Sequence, residues 1–369
     1  MLKQQPAKKV IFIEPVLAHY RHDTFSIISE NKNFEVIILA GTNYEGVKDA
    51  SMPNSVNKEY LSLQIFGHRF YYLRGSLNAV RRFKPDLIVC SGIDFRHLHT
   101  LLIYFWAKLA KVKFVWWSHA GLGNQGKIGQ WFRSTIYRNS NGILSYNSNG
   151  KNNLIQMGVP EIKIQVVGNA LNSDDYGFDM KIKNTTDDKV VLLYSGRITK
   201  EKKLRVLIDA LSHLKQTNLD FICNIVGGGD IENNKQQADK LELQGYVNFL
   251  GPRYGKELKS VFAQADLFVY PGGIGLSMVQ ALSYGLPVIT TDAMNEHGPE
   301  IELLFPGLTG DFFMDENPKD FAQQILHWVG KVKSNKVEIS EACRNQVVKF
   351  GYLPQRVAEN IEGFLNTLP

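Results

Sequence analysis

Cysteine is scarce, with Cys90, Cys223 and Cys343 the only three in 369 residues. They are odd in number and widely spaced, so no disulfide framework or zinc pattern can be built from them, and a reducing compartment is expected. Long apolar runs are also missing. The most apolar stretch, residues 98–117, is broken by Lys108, Lys111 and Lys113 and falls short of the roughly 20 residues a membrane span needs. The first ten residues are polar and basic, and the short run 10–13 stops at Glu14, which is not a signal-peptide pattern. A cytosolic protein is expected. There is no Gly-Lys-Ser or Gly-Lys-Thr, so no P-loop. Gly227 and Gly229 begin a dinucleotide-like spacing, but Glu232 stands where its third small residue belongs. Internal repeats and low-complexity tracts are absent.

What is present describes an ordinary globular chain, 44% hydrophobic and 21% charged, long enough for two domains. Charge is unevenly spread. Residues 1–175 hold 21 Lys and Arg against 12 Asp and Glu, a net of +9; the rest hold 21 against 24, a net of −3. A basic first half suits an anionic partner such as an acidic lipid surface or a phosphate-bearing acceptor, and equally fits uneven surface charge without a partner. It carries no nucleic-acid reading motif, and none is expected as a partner.

Short apolar runs alternate with amphipathic stretches. The pattern predicts strands at 9–14, 35–40, 86–90, 113–117, 142–146 and 163–167, then 189–194, 221–226, 247–250, 267–270 and 287–290. Helices are predicted at 23–30, 75–83, 97–111, 128–139 and 148–157, then 202–214, 234–243, 255–264, 276–284 and 318–331. The strands read as continuous apolar runs, as strands buried on both faces do. The alternation implies two doubly wound, Rossmann-like α/β domains with parallel sheets. The polar, aperiodic stretch 173–188 reads as a linker, leaving 1–172 as one domain and 189–351 as the other. Such domains bind ligands at the carboxyl ends of their strands, so a site in a cleft where the two face each other is expected.

Three segments carry candidate chemistry. In the first, a strand ends at Tyr194, and Ser195-Gly196-Arg197 leads to Lys202 and a helix. Two cations five residues apart at a strand's carboxyl end suit a diphosphate, and the same pattern fits a solvated basic turn. In the second, Gly227-Gly228-Gly229 follows a strand, which permits close approach of a ligand or a tight surface turn. The third is the richest: strand 267–270, the loop Pro271-Gly272-Gly273-Ile274-Gly275, a helix opening at Leu276-Ser277 and carrying Gln280, then Gly285-Leu286-Pro287-Val288. Loop amides running into a helix N-terminus make an anion site.

Together these segments resemble the nucleotide-binding half of glycosyltransferase family 4, retaining enzymes of the GT-B fold. The family shows Gly-Arg with a following Glu-Lys, a Gly-Gly-Gly after a strand, an Asp-x-Phe-Val-x-Pro strand, a Gly-x-Gly loop and a helix closed by Gly-x-Pro-Val. All occur here in order between about residues 190 and 310. Earlier, Trp116-Trp117-Ser118-His119 resembles the acceptor-domain strand that ends in a histidine.

The resemblance implies that Arg197 and Lys202 hold the donor diphosphate, with Gly196, Gly227, Gly228, Gly272, Gly273, Gly275, Leu276 and Ser277 around the nucleotide sugar. It implies that His119 sits near the sugar or the acceptor. His19, His22, His97, His99 and His297 are weaker candidates. The final helix, about 352–369, is expected to cross back onto the first domain.

The sequence also departs from the family. The usual pair of glutamates, eight positions apart across the loop and helix, is replaced by Gly272 and Gln280, and the usual Gly after Glu-Lys is Lys203. Gln280 is expected to bind the ribose hydroxyls in place of a carboxylate. The reading is therefore a transferase that moves a sugar from a nucleotide-diphosphate donor to a hydroxyl of a lipid-linked, oligosaccharide or polysaccharide acceptor. Surface polysaccharide biosynthesis (lipopolysaccharide or capsule) is the expected setting. No cofactor and no metal are expected, since no Asp-x-Asp stands at a strand end. A peripheral position on the inner face of the cell membrane, through an anionic surface meeting the N-terminal domain, is expected too. A nucleotide-sugar epimerase or hydrolase, or a non-catalytic nucleotide-sugar binder, are the alternatives.

Overall fold

The protein is described here by a computed structural model covering residues 6–42, 51–65, 67–120, 126–182 and 189–368. It divides into two compact units, Met1–Asn172 with Leu353–Pro369, and Ser173–Tyr352. Residues 183–188 of the predicted linker lie outside the described residues, and 173–182 belong to the second unit.

The first unit runs β1 (Lys8–Glu14), α1 (His22–Glu30), β2 (Phe34–Gly41), β3 (Ser55–Lys58), β4 (Tyr60–Ile65), β5 (His68–Leu73), α2 (Ser76–Phe83), β6 (Leu87–Ser91), α3 (Leu98–Ala110), β7 (Lys113–Ser118), α4 (Lys127–Arg138), β8 (Gly142–Ser145), α5 (Ser148–Gln156) and β9 (Ile164–Val166). Seven strands form one sheet in the order β3-β2-β1-β6-β7-β8-β9, parallel throughout. Alternation along β1 divides the core. Val10 and Phe12 join Phe25 and Ile28 of α1 on one face. Ile11 and Ile13 join Val80 of α2, Ile103 and Ala107 of α3, Ile136 of α4 and Leu154 of α5 on the other. Burial on both faces is why these strands lack polar alternation.

The C-terminal helix Pro354–Thr367 also belongs to this unit, starting on a proline whose missing N–H costs nothing in a first turn. Its Val357, Ile361 and Leu365 complete the α1 face. Gly142 makes room for it, because a Cβ there would lie 2.6 Å from the Phe364 ring.

The second unit runs β10 (Val190–Ser195), α6 (Leu204–Lys215), β11 (Phe221–Val226), α7 (Ile231–Lys240), β12 (Val247–Gly251), α8 (Gly255–Gln264), β13 (Leu267–Tyr270), α9 (Leu276–Ser283), β14 (Val288–Thr291), β15 (Gly310–Phe313) and α10 (Pro318–Lys349). Its sheet is also parallel, in the order β12-β11-β10-β13-β14-β15. Asp266, 2% exposed, ties three elements: it accepts from the Val191 amide at 2.9 Å and pairs with Lys336 of α10.

Two Rossmann-like α/β units with parallel sheets are thus present. Some elements differ from the sequence expectation. β3, β4, β5 and β15 were not predicted, and α10 continues to Lys349 across a kink at Asn335 rather than ending at residue 331. The β4–β5 hairpin is antiparallel and stands outside the main sheet. Its Tyr60, Tyr71 and Tyr72 rings pack on His97 and His99 at the start of α3. Its stability comes from that docking, not from a turn signal, since an isolated hairpin is marginal in water.

His99 is 1% exposed in this cluster, and its Nδ1 has no hydrogen-bond partner among the described residues. Burial, then the neighbouring His97, push its pKa from 6.5 down to about 3. The folded chain therefore resists a proton that the unfolded chain accepts at its ordinary pKa. Its contribution is full above about pH 6.5 and is lost as the pH falls from there toward the folded value. Replacing His99 with Phe keeps the ring and removes the titration. The melting temperature of His99→Phe is expected to fall less than that of the wild type between pH 7 and about pH 4.5; equal falls would show that other groups set the acid limit.

Candidate active site

In the first unit the strand order reverses between β1 and β6, the switch point where doubly wound folds open a crevice. A cavity of about 460 Å³ lies there, lined by Glu14, Arg21, Ser91, Trp117, His119 and Tyr146 among others. Glu14 ends β1, Ser91 ends β6 and Ser118 ends β7, with His119 directly after it. The Glu14 carboxylate accepts from Arg21 Nη1 at 2.7 Å and from Ser91 Oγ at 2.6 Å. Arg21 also donates to the Tyr146 hydroxyl and lies 4.3 Å over the Trp117 ring. Both charges are buried. Burial raises the Glu14 pKa while Arg21 and Ser91 oppose the shift. Arg21 Nε has no hydrogen-bond partner among the described residues. This buried pair was not among the residues singled out in the sequence. Its signal was an apolar strand that stops on a carboxylate, followed by an arginine seven residues on.

His119 stacks on Tyr146 with ring centroids 4.0 Å apart and planes 15° from parallel, while the residue as a whole stays exposed. Loss of water around the ring, then the Arg21 charge, lower its pKa from 6.5 to about 4. The imidazole is neutral at pH 7. His97 lines the same cavity. His19 and His22 follow β1, bonded to Asn172 and Asp23, and His99 is enclosed in the aromatic cluster.

In the second unit the order reverses between β10 and β13, and the three glycine-bearing segments converge on their carboxyl ends. The convergence is backbone against backbone. A Cβ on Gly227 would stand 1.8 Å from the Gly196 carbonyl oxygen, and one on Gly229 would stand 2.1 Å from that of Ile198. Both have positive φ, 151° and 132°, so no other residue fits. Gly228 has more room, with Pro252 at 3.2 Å from its would-be Cβ. A Cβ on Gly196 would meet the Tyr270 hydroxyl at 2.7 Å. The glycine triplet thus serves the chain's own β10–β11 crossing.

Arg197 is exposed at the end of this crossing, its carbonyl accepting from the Tyr194 hydroxyl at 3.0 Å. Lys202 is half-buried, its ammonium bonded to the Gly273 carbonyl and 5.5 Å from the Tyr270 ring centroid. Burial, then the Arg197 charge, lower the Lys202 pKa from 10.5. Two like charges are therefore held within each other's field. The loop they flank leads through Gly275, with an open side toward Glu300, into the first residues of α9, Leu276 and Ser277.

The Gly272-Gly273 pair is fixed by space. A Cβ on Gly272 would lie 2.6 Å from the Glu201 carbonyl oxygen, and one on Gly273 would lie 2.0 Å from that of Glu296. Neither glycine has positive φ. His297 braces the loop: its Nδ1 accepts from the Ile274 amide at 3.1 Å and its Nε2 donates to the Thr291 carbonyl at 2.9 Å. Gln280, half-buried on α9, donates from Nε2 to the Asp175 carbonyl at 3.3 Å.

Comparison with known proteins agrees with this architecture. Residues 30–175 match the model of Glycosyltransferase Family 4, and residues 175–345 match that of Glycosyl transferases group 1. The amylovoran biosynthesis glycosyltransferase AmsK of Erwinia amylovora is 29% identical over 204 residues, 53% of this chain and 48% of that protein. The chain thus spans about half the length of that relative. A glycosyltransferase structure from Rickettsia africae ESF-5 superposes with a TM-score of 0.73 at 17% identity, over 98% of both chains. Anabaena Alr3699/HepE, solved in complex with UDP, superposes at 0.70 and 15% identity over 98% of this chain and all of that one. The chain belongs to the glycosyltransferases of the family-4 type, built on the GT-B fold.

Proposed function

We propose that the protein transfers a sugar from a nucleotide-diphosphate donor to a hydroxyl of a lipid-linked or polysaccharide acceptor, with retention, in surface polysaccharide biosynthesis at the inner membrane face. The observation that carries the donor half is the pair Arg197 and Lys202 beside a glycine loop that opens α9. Lys202, whose pKa is lowered by burial and then by the Arg197 charge, gains with Arg197 from a bound dianion, which relieves their repulsion. The amides of Gly275 and Leu276 add the positive end of a helix. The diphosphate is the leaving group, so this charge counts most as the glycosidic bond breaks. AmsK's role in amylovoran biosynthesis and HepE's UDP complex support the setting and the donor class.

For the acceptor, the first-unit cavity offers aromatic walls in Trp117 and Tyr146 and a neutral His119. A neutral imidazole donates a hydrogen bond from one nitrogen and accepts at the other, as a sugar hydroxyl requires. No side chain stands out as a nucleophile, so positioning and leaving-group stabilisation supply the chemistry.

Arg197→Ala and Lys202→Ala are each expected to lower turnover about a hundredfold or more, on the scale of a lost transition-state contact, with the melting temperature held. Near-normal turnover in both would displace the donor site. Incubating nucleotide sugar without acceptor separates the alternatives, since an epimerase or hydrolase turns over in its absence.

Gly273→Ala drives a methyl into the Glu296 carbonyl and is expected to destabilise the fold by about 1–3 kcal/mol, the usual cost of overpacking, measurable by urea unfolding. Restoring the family's carboxylate with Gly272→Glu meets the backbone of Glu201 and Lys202 and is expected to distort the loop.

Gln280→Ala is expected to weaken nucleotide diphosphate binding by about 1 kcal/mol, one net hydrogen bond. Calorimetric titration reads it, and unchanged affinity would remove the ribose role. Gln280→Glu gives up the donor to the Asp175 carbonyl, so the restored carboxylate is expected to cost part of what it gains.

A further inference from the structure

The helices on one face of the first sheet leave an apolar ridge uncovered. Along α3, Leu98, Leu102, Phe105 and Leu109 recur at spacings of four, three and four, a single helical stripe. The opposite stripe of the same helix, Ile103, Tyr104 and Ala107, is the buried one. The outward residues are 39%, 50%, 51% and 86% exposed. On α4, Ile128 and Trp131 are 84% and 64% exposed.

The two helices are neighbours. Tyr104 Oη donates to the Ile136 carbonyl at 3.4 Å, Lys108 Nζ to that of Asn139 at 2.7 Å, and Phe95 meets Phe132 at 5.6 Å between centroids. Six large apolar side chains thus stand on two adjacent, parallel helices. Scattered apolar residues are normal on a surface, whereas a contiguous patch marks an interaction site.

Charge selects the partner. From residue 95 to residue 160 the chain contains no Asp or Glu at all, and it contains eight Lys and Arg. Lys108, Lys111 and Arg138 cluster where α3 and α4 end. Exposed Arg81, Arg82 and Lys84 lie at the end of α2, which covers the same sheet face. An apolar stripe with a cationic border and no anions fits an anionic lipid surface: side chains enter the acyl boundary while lysines and arginines meet headgroups.

The ridge also leads to the cavity. His97, immediately before Leu98, and Arg133, two residues after Trp131, both line it. A lipid-linked acceptor held in the bilayer would thus be delivered beside its site.

We propose that the α3–α4 ridge, centred on Leu102, Phe105, Leu109 and Trp131, is the surface that docks the protein on an anionic bilayer. This rests on the membrane-side reading given above and names the face that performs it. It places contact on the ridge rather than on the Arg69–Phe83 stretch, whose Phe70, Tyr71, Tyr72 and Phe83 rings are half-buried.

Co-sedimentation of the full chain with phosphatidylcholine vesicles, with and without about 30 mol% phosphatidylglycerol, tests it. Wild type is expected to bind the anionic vesicles, and less so as salt is raised. Leu102→Asp/Phe105→Asp is expected to lose binding about tenfold or more, since both apolar contacts go. Lys108→Glu/Lys111→Glu is expected to lose binding to the anionic vesicles alone. Circular dichroism melts confirm that each variant folds, and nucleotide diphosphate titration is expected to be unchanged in all of them. Intact nucleotide binding without vesicle binding by wild type overturns the docking surface alone; vesicle binding without any nucleotide binding overturns the donor reading alone. If the aspartate pair instead turns a dimer into a monomer with vesicle binding unaffected, the ridge is a subunit interface and the proposal fails.

Discussion

The second unit depends on backbone packed directly against backbone at the carboxyl edge of its sheet. Gly227 and Gly229 let the β11 loop close on Gly196 and Ile198, and Gly272 and Gly273 let the β13 loop close on Glu201 and Glu296. Any side chain at these points would push one loop off another. Because the loops touch, the Gly273 carbonyl falls within reach of Lys202, and His297 reaches the Ile274 amide. The cations, the loop amides and the start of α9 are therefore placed by one set of contacts, which is the rigidity that charge stabilisation requires.

The two units solve their electrostatics in opposite ways. In the first, Arg21 is neutralised by Glu14, and a Tyr hydroxyl and a Trp face absorb what remains. A buried pair of this kind contributes little net stability against an apolar substitute, so its place in the wall of a cavity is better understood as fixing donors and acceptors there. In the second, neither Arg197 nor Lys202 pairs with a carboxylate among the described residues, while the next residue, Lys203, takes both Glu296 and Asp315. Glu296 and Asp315 are thus engaged by Lys203, and the charges of Arg197 and Lys202 stay available.

Much of this was legible in the sequence because burial writes itself into composition. Strands such as β1, β10 and β13 are covered on both faces and read as unbroken apolar runs, and α6 and α9 follow glycine turns whose spacing is diagnostic. The hairpin β4–β5 was not legible, because Tyr60-Leu61-Ser62-Leu63 and Phe70-Tyr71-Tyr72 gain their order from His97 and His99, which lie well over twenty residues further on. β15 escaped for a related reason. Gly310-Asp311-Phe312-Phe313 is too short to signal, and Gly310 is needed because a Cβ would lie 1.9 Å from the Val288 carbonyl oxygen. Glu14 and His297 were underweighted for a third reason, since each acts through partners that only the fold brings to it.

The replacement of the family's glycine by Lys203 shows how such a departure is carried. Lys203 has a φ of +51° and caps α6 from the left-handed region, where a side chain costs roughly 1–2 kcal/mol. That strain is offset by its ammonium, 2.8 Å from carboxylate oxygens of both Glu296 and Asp315 and little exposed. Asp315 in turn accepts from the Thr291 hydroxyl at 2.7 Å, so the pair reaches back to the end of β14. The contact draws the 294–296 turn onto the glycine loop, where the Glu296 carbonyl fills the space beside Gly273. A glycine at 203 would relax the backbone and leave that turn untethered; a side chain at 273 would collide with what the turn has brought in, and one at 272 with the backbone of Glu201 and Lys202. The departures at Lys203 and Gly272 therefore meet in one loop: the backbone of Glu201 and Lys202 fills the space beside Gly272, and the lysine that follows them holds the 294–296 turn beside Gly273.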